Sequence, residues 1–94
     1  MDPILYAELN LIRALLEATG VSGFERAKGP TGPWIGIVCW PNNAMQLTVR
    51  IVERNFYYFL KLFHRDSDPQ VIPYLDRQAV VDAVIQHFRA SPSN

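Results

Sequence analysis

The chain has 94 residues, with nine Lys plus Arg balanced by nine Asp plus Glu. That length supports a single hydrophobic core, and the balance excludes both the basic excess of a dedicated nucleic-acid binder and the charge excess of a disordered tail. A lone cysteine, Cys39, set in an apolar run excludes an intrachain disulfide and with it a small cross-linked secreted scaffold.

Asp2 followed by Pro3 marks a helix start, since the carboxylate accepts from free backbone N–H groups and proline at the first helical position forfeits no bond. Ile4, Leu5, Leu9, Ile12, Leu15 and Leu16 then recur at steps of three and four and predict a buried stripe, leaving Glu8, Arg13 and Glu17 to water. Gly20 ends the helix. The stretch from 20 to 33, rich in glycine and proline, reads as a long loop. No basic leader followed by an apolar run opens the chain, and no stretch nears the roughly 18 apolar residues of a membrane span, so a cytoplasmic, unprocessed protein is expected.

Three strands are predicted next, at 34–40, 45–53 and 56–64, joined by "PNNA" and by a two-residue loop at Arg54 and Asn55. With that loop Ile51 pairs with Tyr58, Val49 with Leu60 and Leu47 with Leu62 on a core face, while Val52, Arg50, Thr48 and Gln46 share the other face with Tyr57, Phe59, Lys61 and Phe63. A four-residue "PNNA" loop sends Trp34, Val38 and Trp40 to the core and Ile35, Ile37 and Cys39 to the second face. "RDSDPQVIPYLD" reads as a proline-punctuated connection with a short helical turn at Asp68-Pro69. A last helix is capped by Asp76 and buries Ala79, Val80, Ala83, Val84 and Phe88, widened by Val81 and Ile85. Residues 91–94, "SPSN", read as a disordered tail on a single domain of residues 1–90.

The expected fold is therefore α+β: an N-terminal helix, a three-stranded antiparallel meander and a C-terminal helix. Two arrangements are open, with the helices on one sheet face or one on each. Short meander connections favour one face, which both apolar stripes then share.

Motifs for catalysis or metal binding do not assemble. His64 and His87 lack cysteine partners at ligand spacing, "HRDSD" shares only letters with a kinase catalytic loop, and "KGPTGP" lacks the residue order of a phosphate cradle. No cofactor, metal or enzymatic activity is expected.

The succession of helix, three-strand meander and helix, with Gly29-Pro30 ahead of the strands, resembles the double-stranded-RNA-binding domain. The resemblance implies that family's fold. Its RNA grip comes from a lysine-rich start to the last helix, whereas here "LDRQAVVDAV" carries Asp76, Arg77 and Asp82 and no lysine.

The sequence thus points to an aromatic sheet face of Ile35, Ile37, Tyr57, Phe59 and Phe63, edged by Arg50, Lys61 and Arg65. Such a face suits docking of another protein or of a second copy as a homodimer, and the expected function is a non-catalytic interaction module such as a small inhibitor, adaptor or immunity-type protein. The alternative is a nucleic-acid-binding domain, either of double-stranded-RNA-binding-like topology or stacking single strands on those aromatics, which the neutral net charge opposes.

Overall fold

The computed structural model describes residues 3–22, 24–29, 32–39, 43–64 and 66–90, and the side chains among these except those at 25–44, 64 and 90. Helix α1 (Pro3–Ala18) leads into strands β1 (Phe24–Gly29), β2 (Gly32–Cys39), β3 (Asn43–Val52), β4 (Asn55–His64) and β5 (Ser67–Tyr74), and helix α2 (Arg77–Ala90) follows. The strands form one antiparallel sheet in the order β1-β2-β3-β4-β5. Helix, antiparallel meander and helix follow in the expected order. The meander gains a strand at each edge, in the stretches read from sequence as the 20–33 loop and as the connection after His64.

Both extra strands lie where pairing demands least of the side chains. β1 pairs Phe24 with Ile37 and closes onto β2 at Gly29 and Gly32, so a hairpin stands in place of the expected loop. β5 has β4 as its one strand neighbour, and an edge strand tolerates Pro69 and Pro73 because their missing donors can face outward.

Helix α1 stops as Gly20 predicts. Gly20 adopts φ +93, its N–H donates to the Glu17 carbonyl at 3.1 Å and the Val21 N–H donates to the Leu16 carbonyl at 3.1 Å, which satisfies two carbonyls the helix end would otherwise leave open. Asp76 caps α2 by accepting from the Ala79 N–H at 3.1 Å.

One core joins all the layers. Leu9, Ile12 and Leu16 of α1 and Val80, Val81 and Val84 of α2 pack with Met45, Leu47 and Val49 of β3 and Tyr58, Leu60 and Leu62 of β4. Those strand residues alternate along the chain, so both helices cover the same sheet face. Two readings of α1 need correction: Ile4 and Leu15 are exposed, and Glu8 is buried. The helix meets the sheet along positions 5, 8, 9, 12 and 16, a stripe rotated toward Glu8 from the one the leucines and isoleucines alone suggest.

The β3–β4 turn is Glu53-Arg54, one residue earlier than the sequence suggests, with φ of 51 and 71. Val52 therefore pairs with Asn55, Val49 with Tyr58, Leu47 with Leu60 and Met45 with Leu62. Each expected pair slips by two residues while every side chain keeps its face. The β2–β3 connection behaves differently: Cys39 pairs with Asn43, leaving three intervening residues in place of four, and this reverses the parity of β2. Positions 35 and 37 pair with the core residues Leu47 and Met45, and position 34 pairs with Thr48. By backbone register Ile35 and Ile37 belong to the helix-covered face, and position 34 takes the second one.

Candidate functional site

The sheet face away from the helices is built by alternation. β3 presents Gln46, Thr48, Arg50 and Val52, β4 presents Tyr57, Phe59, Lys61 and Phe63, and β5 adds Val71 and Pro73 opposite Lys61 and Phe59. Tyr57, Phe59 and Lys61 are half-buried by their neighbours, and Arg50, Val52, Phe63 and Val71 are exposed. No element of the described chain covers this face.

Its charges are organised around its rings. The Arg50 guanidinium lies 6.0 Å from the centroid of Phe59, the diagonal neighbour across the strand pair, and the Lys61 ammonium lies 5.2 Å from the centroid of Phe63. Each contact sets a cation against the negative face of a ring and keeps the long side chain close to the sheet. Gln46, Thr48, Arg50, Phe59, Lys61 and Val71 line a depression of about 380 Å³. Among the described β3 and β4 side chains on this face two are cations and none is a carboxylate. The depression has a mainly polar lining between two positive groups, with Phe59 and Val71 as its apolar members. Among the described residues of this face no acid–base pair assembles.

Of the residues singled out by sequence, Arg50, Tyr57, Phe59, Lys61 and Phe63 come together here. Ile35 and Ile37 do not, by register. Arg65 lies outside the described residues. Sequence reasoning missed Val71, because its strand was read as a connection; the alternation of Val71 and Pro73 with the half-buried Ile72 and Tyr74 was the available signal.

A second polar cluster lies on the opposite face, inside the fold. Glu8 accepts from the Tyr58 hydroxyl at 2.7 Å and from Arg77 Nε and Nη2 at 2.6 and 2.8 Å. Arg77, helped by Tyr58, holds the Glu8 carboxyl below its usual range against the opposing effect of burial. Burial, with the adjacent carboxylate, pushes Tyr58 up to about 12, and Glu8 raises Arg77 further. Every partner is committed, so the cluster fastens α1 and α2 to the sheet and offers no free group for chemistry. Among the described residues no three His, Cys, Asp or Glu side chains are grouped so as to hold a metal ion, and no helix is long and apolar enough to cross a membrane.

Comparisons with protein-family models, with characterised proteins and with solved structures gave no match, including for the double-stranded-RNA-binding domain that the element order resembles.

Proposed function

We propose that the protein is a non-catalytic interaction module that docks another protein on its uncovered sheet face, in the manner of a small inhibitor, adaptor or immunity-type protein. The observation that carries this is the pairing of exposed and half-buried aromatics with Arg50 and Lys61 on a face that shows no described carboxylate on β3 or β4. The partner segment that complements it is acidic and apolar: carboxylates meet the two cations at the rim, and an apolar side chain enters the depression over Phe59. A neutral chain leaves few cations for phosphates, which favours a protein partner over a nucleic acid.

Capture from the native host with the wild-type chain and two variants tests the reading. Phe59→Ala and the charge reversal Arg50→Glu with Lys61→Glu should each retain the fold and lose an acidic protein that the wild type holds, the first costing on the order of 2 kcal/mol of association. Identical capture by all three overturns it. Salt-sensitive, sub-micromolar binding of an oligothymidine strand that the charge reversal abolishes would assign the face to nucleic acid instead.

A further inference from the structure

Helix α1 carries a second apolar stripe besides the one it buries. Ile4, Leu11 and Leu15 are 57%, 42% and 36% exposed, and Ala7, Ala14 and Ala18 are exposed among them. Positions 4, 7, 11, 15 and 18 follow one another at steps of three, four, four and three over the whole helix, so they share one face along which a second helix can pack lengthwise. No charge interrupts the stripe. Glu8 is held inward by Tyr58 and Arg77, and Arg13 and Glu17 neutralise each other at 2.8 Å.

We propose that this stripe joins two copies of the chain, α1 antiparallel on α1, about a two-fold axis through Leu11. The sequence of the stripe is self-complementary in that one register. Ile4 meets Ala18 of the second copy, Ala7 meets Leu15, and Leu11 meets its own counterpart on the axis, so a large side chain opposes a small one on either side of the centre. The alanines let the helices approach closely. A strand partner would match a period of two, which the stripe lacks. An anionic membrane surface would need cations beside it, and α1 has only Arg13, already paired.

A helix of 16 residues spans about 24 Å. One such contact is small beside the roughly 800 Å² that each partner buries in a stable complex, so the dimer forms in the micromolar range or above. The helix layer lies opposite the uncovered sheet face, so the dimer displays two such faces, and its existence is independent of what binds them.

Sedimentation equilibrium on the full chain from about 1 μM to about 1 mM measures the association. The wild type should pass from monomer to dimer. Leu11→Glu should weaken dimerisation at least about 30-fold with an unchanged thermal midpoint, while Phe59→Ala should leave it unaltered. In a Cys39→Ser background, Leu11→Cys should oxidise to a covalent dimer and Glu17→Cys, far from the axis, should not. A chain that stays monomeric throughout overturns the proposal. So does a dimer indifferent to Leu11→Glu, one lost in Phe59→Ala, or one that cross-links equally at 17.

Discussion

Glu8 and Arg77, 69 residues apart in the chain, meet through two parallel hydrogen bonds of 2.6 and 2.8 Å. The fork of the guanidinium matches both carboxylate oxygens, so the pair fixes the orientation of α1 against the start of α2 as well as their distance. Its two members sit in different surroundings: the Glu8 side chain is 5% exposed and that of Arg77 is 41% exposed. Loss of Arg77 strands a charge in the interior, whereas loss of the Glu8 charge releases a guanidinium that water can reach. Arg77→Ala should therefore cost more stability, about 3 kcal/mol, than Glu8→Gln at about 1–2 kcal/mol, which keeps an acceptor for Tyr58. Urea denaturation with equal slopes decides it; the reverse order would refute the account.

The same cluster sets the pH limits of stability. Glu8 titrates below its ordinary 4.5 in the folded chain, so its contribution is complete above that value and is lost as pH falls through the depressed folded pKa. Tyr58 runs the other way. Its pKa rises from 10.0 to about 12, so the fold retains a proton that the unfolded chain gives up, and stability declines as pH climbs from about 10 to about 12. Tyr58→Phe should abolish the part of the alkaline decline due to this residue and cost about 1.5 kcal/mol at neutral pH. An alkaline limb unchanged in that variant would remove Tyr58 from the explanation.

The Glu53-Arg54 turn places two residues with β-carbons at positive φ, where hairpins prefer Asn-Gly. Each such residue costs roughly 1 kcal/mol relative to one at ease there. Glu53→Asn with Arg54→Gly should accordingly stabilise the protein by about 1–2 kcal/mol. Thermal and chemical melts measure the gain, and a loss would show that the turn lies elsewhere.

Pro69 and Pro73 withhold backbone donors from an edge strand whose exposed Val71 stands between them and whose exit carries Leu75 at 73% exposure. Replacing both by valine restores the donors and raises strand propensity at an open edge. Light scattering during concentration should show the variant aggregating where the wild type does not. Equal behaviour would mean that the prolines do not guard this edge.

The central hairpin was legible in the sequence because its apolar residues alternate over long runs, and alternation fixes faces even when the turn is misplaced by one residue, as it was at Asn55. The β2–β3 connection lacked that safeguard. With apolar residues at both parities of β2, the length of the loop alone determined whether position 35 or position 34 took the helix-covered face in the register, and a difference of one residue exchanged them. β1 and β5 were illegible for another reason: "FERAKG" and "SDPQVIPY" are edge strands, each paired with one neighbour only, and charge and proline suit them as well as they suit loops. Glu8 was misread because charge was taken to imply solvent, although positions 5, 8, 9, 12 and 16 keep helical spacing and single it out as the charged member of a buried face.

Because the sheet is a pure meander, each hairpin can zip with the strand made just before it, and contact order within the sheet is low. The core waits for α2. Arg77, the counter-charge of Glu8, and Val80 and Val84 of the core all follow β5, so a chain emerging from the ribosome carries α1 and all five described strands before either the pair or the core can be sealed. Completion of α2 is therefore the step that turns a growing set of hairpins into a protein, and a chain cut short before residue 77 would present Glu8 and the helix-facing side of its sheet to whatever holds nascent chains.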